Sequence, residues 1–166
     1  MGQLAVLTLR AVMLALFAGL LFLQAVVVPI MILDEDPADP ALSQRLPIIV
    51  VFTLGTITAE VIIFCVWKLV TMVRRGTVFS IAAFRFVDIV IGAFVFAALL
   101  VFAFAVLLAP LGDEDVPPPF VLIIGGGGLA LLGVALIVFV MRTLLAQAIA
   151  RDVEAAHLAA ELGEVI

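Results

Sequence analysis

Four long apolar runs, separated by short polar segments, dominate the pattern of this sequence. Each run can cross a bilayer as a helix, because a membrane-spanning helix needs about 20 apolar residues at a rise of about 1.5 Å each. The pattern predicts spans over about 8–31, 47–70, 86–109 and 119–142. Strong helix formers such as Ala, Leu and Glu continue after the fourth run. We therefore expect the fourth helix to continue through a helical tail, 143–166.

Composition supports a lipid environment. Of the 166 residues, 67% are apolar and 13% are charged, whereas soluble domains have about 45–50% apolar and about 25% charged residues. A soluble core of this size cannot hide so much apolar surface. The sequence predicts an all-α integral membrane protein with one membrane domain over 1–166. Its expected architecture is a four-transmembrane-helix bundle in a lipid bilayer, with the fourth helix extended into the cytoplasm.

Basic residues are divided unevenly between the polar segments. The segments 33–45 and 112–119 together hold seven acidic residues and one basic residue. The other seven basic residues lie at the opposite ends of the spans: Arg10, Lys68, Arg74, Arg75, Arg85, Arg142 and Arg151. Because short loops rich in Lys and Arg stay on the cytoplasmic side, both termini are predicted to be cytoplasmic.

Several charged residues are predicted to share one depth. The helical rise places Arg10, Lys68, Asp88 and Arg142 about 30–35 Å from the outer ends of their spans, which is the inner edge of a hydrocarbon layer about 30 Å thick. We expect a layer of mixed charge there, with Asp88 paired to Arg85, Arg10 or Arg142. Such a layer fixes helix register at small energetic cost near the headgroups, or it acts as a coupling switch.

Glu60 is a candidate of a different kind. The same count places it about 10 Å inside the hydrocarbon, where an ionised carboxylate costs several kcal/mol unless it is paired or protonated. It is therefore expected to face the bundle interior. Two interpretations stay open: a protonated Glu60 hydrogen-bonded to a neighbouring helix, or a proton or cation site. Gln24 is expected to hydrogen-bond between helices.

Small residues spaced four apart occur on every span. Because small residues let helices approach closely in lipid, we expect contacts at Ala15 and Gly19, Gly55 and Ala59, Ala93 and Ala97, and Gly126 and Ala130. The run Gly125–Gly128 is not a phosphate loop, since no Lys-Ser or Lys-Thr follows it and it lies in an apolar span. A hinge is the alternative role for this run.

The sequence contains no set of residues that amounts to an active site. Its single cysteine, Cys65, and single histidine, His157, form neither an intrachain disulfide nor a metal-ligand cluster. There is no basic patch of the size that follows a phosphate backbone. We therefore expect a non-enzymatic protein with no catalytic, cofactor-binding or metal-binding residues and no direct contact with nucleic acid.

Two stretches carry a resemblance to a known family. They are Arg74-Arg-Gly-Thr-Val-Phe-Ser80, followed by Phe84-Arg-Phe and Ile91-Gly92, and a tail that runs from Leu144-Leu-Ala-Gln-Ala-Ile-Ala150 to Glu161-Leu-Gly-Glu-Val-Ile166. They resemble the bacterial integral membrane family known as domain of unknown function 2975, in its actinobacterial form. The usual Asn after the signature is replaced by Ile81-Ala-Ala. The resemblance covers essentially the whole chain and implies a multi-pass protein of the bacterial cell (inner) membrane.

The resemblance also suggests a partner, because some family members are encoded beside a small helix-turn-helix regulator. The tail carries two apolar stripes, Leu145, Ile149, Val153 and Ala156 on one side and Leu158, Leu162 and Val165 on another. We expect docking of a regulator, a membrane complex or a second copy through the basic inner loop and this tail, using Arg74, Arg75, Arg85 and Arg151. The alternative function is a small transporter or channel component with an intramembrane carboxylate at Glu60.

Overall fold

The computed structural model describes residues 3–33, 42–74, 81–109 and 118–164. The helices in these ranges are α1 (Gln3–Phe22), a π-helix (Leu23–Val27), α2 (Val28–Leu33), α3 (Leu42–Arg74), α4 (Ile81–Leu108) and α5 (Pro118–Glu164). The described part of the chain is therefore all-helical, as predicted. The acidic residues of the two polar segments, together with Arg75 and the rest of the signature up to Ser80, lie outside the described residues.

In the ranges that the structure describes, four helical stretches are long and apolar enough to cross a membrane, the number that the sequence predicts. These stretches are Val6–Leu33, Arg45–Met72, Ala83–Leu108 and Pro119–Ala160. The first combines α1, the π-helix and α2, and the other three fall in α3, α4 and α5. Many of their apolar side chains are exposed, among them Leu122 at 78%, Val106 at 71% and Leu7 at 63%. Exposed apolar surface of this extent matches a hydrocarbon solvent better than water.

The first span changes its helical pitch just before Pro29. The backbone N–H of Val28 bonds to the carbonyl of Leu23, which closes the wider π-turn. Pro29 has no N–H to donate, and its ring crowds the carbonyl four residues earlier. The π-turn thus lies where the regular hydrogen-bond ladder is interrupted, and the helix then continues to Leu33.

The spans pack in chain order. The first lies against α3, α3 against α4, and α4 against α5, and the last two interfaces are the most extensive. The first span and α3 are antiparallel, because Arg10 contacts Thr71 whereas the later Gln24 contacts the earlier Thr56. The helices α4 and α5 are antiparallel too, because Asp88 contacts Arg142 whereas the later Phe102 lies beside the earlier Gly128. Each helix buries only a few apolar residues, and several of these are small. The buried apolar residues are Met13, Val28, Ile49, Cys65, Ala83, Val90, Ala98, Leu100, Ala105 and Ala135.

The fourth span is one continuous helix of 47 residues. At about 1.5 Å per residue it is about 70 Å long, more than twice the thickness of the hydrocarbon layer, which is about 30 Å. The helix passes through Gly125–Gly128 without a break, and it continues past Arg142 to Glu164. A helix of this length that crosses a bilayer must project well beyond it.

Among the glycines of the described spans, Gly128 makes a close helix contact. A Cβ atom at Gly128 would lie 3.1 Å from the Phe102 ring of α4, whereas one at Gly126 would meet nothing within 4 Å. The predicted contact at Gly126 and Ala130 was therefore wrong within this chain, since both residues are exposed. Gly126 and Gly128 are separated by about 200° around the helix. The predicted contact at Gly19 was wrong for the same reason, because Gly19 is exposed with open space beside it.

Candidate functional site

Asp88 and Arg142 form an ion pair between α4 and α5, in which two guanidinium nitrogens lie close to the two carboxylate oxygens. The Nη2 atom of Arg142 donates to Oδ2 of Asp88 at 2.8 Å, and its Nε lies beside Oδ1. The guanidinium also lies over the ring of Phe84, 5.7 Å from the ring centroid. The pair is partly exposed, at 29% for Arg142 and 50% for Asp88. Of the three arginines predicted as partners for Asp88, the structure selects Arg142.

Arg10 makes its contacts with α3. Its Nη2 donates to Oγ1 of Thr71 at 3.3 Å, and its guanidinium lies 5.2 Å from the ring centroid of Trp67. The Thr71 hydroxyl in turn donates to the Trp67 carbonyl at 2.8 Å. The predicted single layer of mixed charge therefore divides into two clusters, one on α1 and α3 and the other on α4 and α5. Within the described ranges no ion pair joins the two clusters.

Lys68 lies next to the Arg10 cluster. Its ammonium is 5.6 Å from the ring centroid of Phe64, one turn earlier on α3. A cation over an aromatic face is attracted by the ring's quadrupole. Lys68 is exposed while Trp67 is half-buried, which suits an aromatic residue and a cation at the end of a span.

Glu60 lies on the same side of α3 as the residues that contact α1. It follows Thr56 by one turn and precedes Trp67 by two turns, so the three side chains share a face. Glu60 is half-buried, and its Oε1 atom is shielded from solvent with no hydrogen-bond partner among the described residues. The expected hydrogen bond to a neighbouring helix is not formed there. An unpartnered buried oxygen is the feature that singles out this carboxylate.

Gln24 makes the predicted contact between helices. Its Nε2 donates to Oγ1 of Thr56 at 3.2 Å, and the Thr56 hydroxyl donates to the Thr53 carbonyl at 2.8 Å. Gln24 lies within the π-helix. The interface between the first two spans thus carries three polar positions along its length: Gln24 with Thr56, then Glu60, then Arg10.

The basic residues predicted to dock a partner are only partly described. Arg74 ends α3, and Arg75 lies outside the described residues. Arg85 and Arg151 are both exposed. Because α4 and α5 are antiparallel, Arg85 and Arg151 lie on the same side of the Asp88–Arg142 pair, displaced along the axes by about 4.5 Å and about 13.5 Å.

The α5 extension, defined here as residues 143–164, makes little contact with the rest of the chain. Every residue from 151 to 160 is exposed, His157 among them. Exposed apolar side chains on the extension include Leu144 at 53%, Val153 at 65% and Leu158 at 54%. The extension therefore presents apolar surface that the described part of this chain leaves uncovered.

An apolar cavity of about 570 Å³ lies among the four spans, and the sequence pattern did not reveal it. All four spans line it, with Leu20, Gly55, Phe104 and Leu131 among the lining residues. The sequence feature from which the cavity could have been predicted is the pair of small residues on one wall, Gly55 and Ala59. Thr56 is the polar residue of its lining, so the cavity offers few ligands for an ion.

The described residues do not include a group of three or more His, Cys, Asp or Glu side chains that could hold a metal ion.

The family model described as "Protein of unknown function (DUF2975)" matches residues 34–166. No curated protein and no solved structure matches the chain. The match begins after the first span, so it includes Glu60, Asp88 and Arg142 but not Arg10.

Proposed function

The chain belongs to the DUF2975 family of proteins of unknown function, and we propose that this member docks a protein partner at the bacterial cell membrane without catalysing a reaction. In this proposal four helices cross the bilayer, both termini are cytoplasmic, and the α5 extension carries the docking surface. The partner is a helix-turn-helix regulator, a membrane complex or a second copy of the chain.

The exposure of the α5 extension supports this proposal most strongly. Helices in proteins are stabilised mainly by packing an apolar face against other groups. The extension nevertheless stays helical to Glu164 with Val153 at 65% and Leu158 at 54% exposure. Apolar surface that is left uncovered on a helix in water is typical of a site that contacts another protein.

The Asp88–Arg142 pair supports the same proposal because of its position. Arg142 is the last residue before the extension, and the pair ties it to α4, seven residues after α4 begins. The hydrogen bond from Nη2 to Oδ2, together with the close approach of Nε to Oδ1, restricts orientation as well as distance. The extension therefore leaves the spans at a fixed angle, beside the exposed Arg85. A partner with an apolar stripe and an acidic rim fits this combination.

The test replaces the exposed apolar residues of the extension. Val153→Asn with Leu158→Asn removes apolar surface without touching the spans, and Asp152→Asn with Glu154→Gln is the control at the two positions that flank Val153. After cross-linking in native membranes, a specific protein is expected to co-purify with the wild type and the control, and to be lost from the Val153/Leu158 variant. Retention of that protein by the variant, or its absence from the wild type, contradicts the proposal.

A second candidate function is supported by Glu60. Its buried Oε1 without a partner is the arrangement expected of a transporter or channel component with a titratable group in the bilayer. Glu60→Gln should abolish ion flux into proteoliposomes if this function is correct. If docking is correct, Glu60→Gln leaves the co-purifying protein unchanged, whereas removal of residues 151–166 releases it.

A further inference from the structure

A groove between the first two spans ends beside two cations. The groove has a volume of about 190 Å³ and is lined by Met13, Leu14, Phe17, Ile63, Phe64 and Trp67. Leu14 and Phe64 are each more than half exposed, at 57% and 54%. The groove is therefore open to the outside of the helix pair, where lipid surrounds a membrane-spanning helix.

The two cations lie on the rings that line this groove. The Arg10 guanidinium lies over Trp67, and the Lys68 ammonium lies over Phe64. Neither cation has a carboxylate partner in the described part of the chain, and the Nε of Arg10 is buried without a hydrogen-bond partner. Arg142, whose Nε is also buried without a hydrogen-bond partner, differs in having a carboxylate partner, Asp88. One end of the groove thus carries two positive charges that no described residue balances.

Glu60 does not balance these charges. It is the preceding acidic residue on α3, eight residues before Lys68, which is about 12 Å along the helix axis. At that distance a carboxylate forms no ion pair with the Lys68 ammonium. An anion that balances these charges would therefore come from outside the described chain.

We propose that the groove and its two cations form a binding site for an anionic phospholipid. The phosphodiester lies at Arg10 and Lys68, and the upper part of one acyl chain lies along Leu14 and Phe64. Basic sites between membrane-spanning helices are a known way to hold anionic headgroups. A free phosphate ion would satisfy the cations but would leave the adjoining apolar groove empty. The site does not depend on whether the α5 extension docks a protein.

The binding experiment uses full-length protein purified in detergent. Equal amounts of phosphatidylglycerol and phosphatidylcholine are added, and bound lipid is counted by native mass spectrometry. The wild type is expected to retain one phosphatidylglycerol with a preference of about thirtyfold, since each cation near a membrane surface contributes about fivefold. Arg10→Gln with Lys68→Gln should reduce this preference to nearly one. Lys68→Gln alone should leave about fivefold, and because Lys68 is exposed this variant is expected to fold.

The matched control removes two other cations that lie beyond the Asp88–Arg142 pair. Arg85→Gln with Arg151→Gln should keep the preference, because neither side chain borders the groove. Leu14→Trp keeps both cations but fills the groove, so it should lose the lipid. The proposal is overturned if the Arg10/Lys68 variant keeps the preference, if the control loses as much of it, or if Leu14→Trp still holds the lipid. Displacement of the lipid by excess inorganic phosphate would assign the site to free phosphate and overturn it as well.

Discussion

At the scale of single residues, the charged side chains in the described spans differ in what they contact. Asp88 is bound by Arg142, and Arg10 is bound by the hydroxyl of Thr71 and the face of Trp67. Among the carboxylates described, Glu60 is the one with a buried oxygen that accepts no hydrogen bond from the described chain. The bilayer makes these differences matter, because a charge without a partner is costlier there than in water.

The first prediction concerns the coupling between Asp88 and Arg142. Asp88→Asn and Arg142→Gln should each lower the free energy of unfolding by about 1 kcal/mol, since the pair has a charge-assisted hydrogen bond but is partly exposed. The double variant should lose no more than about the same amount, because each single change already removes the interaction. Reversible unfolding in mixed SDS micelles measures all three. Additive losses would show that the two residues act independently.

Sequence reasoning reached the depth of these residues but not their pairing. The helical rise predicted one depth for Asp88 and Arg142, and these two side chains do form a pair. It could not choose among Arg10, Arg85 and Arg142 as the partner, because that choice depends on how each helix is rotated about its axis. The rotation is decided by packing, for example by the contact of Gly128 with Phe102, and leaves no mark in an almost uniformly apolar pattern.

At the scale of helices, a π-turn and a glycine contact determine how neighbouring spans pack. The π-turn before Pro29 places Gln24 where it donates to Thr56. Gly128 brings α5 close to α4 at the ring of Phe102. The sequence indicated both glycine and proline positions, but spacing alone assigned the close contact to Gly126. The four consecutive glycines hide which one faces the neighbouring helix, since each step turns the face by about 100°.

The second prediction compares two glycine positions of the same run, Gly126 and Gly128. Gly128→Val should lower the free energy of unfolding by about 1–3 kcal/mol, because its side chain overlaps the Phe102 ring and forces repacking. Gly126→Val should change it by no more than about 0.5 kcal/mol, because that face is open. Unfolding of both variants in the same detergent gives the comparison. Equal losses would mean that the contact with Phe102 does not hold α5 in place.

At the scale of the whole molecule, most of the stabilising environment lies outside the chain. Consecutive spans pack on one another, few large side chains are buried, and apolar residues cover the outer faces. Such a molecule needs hydrocarbon around its spans. The α5 helix, about 70 Å long, must also reach beyond the hydrocarbon. The side of the membrane on which the extension emerges therefore determines which partners it can contact.

The most direct test of this account locates four positions relative to the membrane. Single cysteines are placed in a Cys65→Ala background as Asp36→Cys, Thr77→Cys, Asp113→Cys and Ala155→Cys, and a membrane-impermeant maleimide is applied to intact and to permeabilised cells. The account predicts that the cysteines at 36 and 113 react in intact cells, whereas those at 77 and 155 react only after permeabilisation. Labelling of the cysteine at 155 in intact cells, or identical labelling at all four positions, would contradict it.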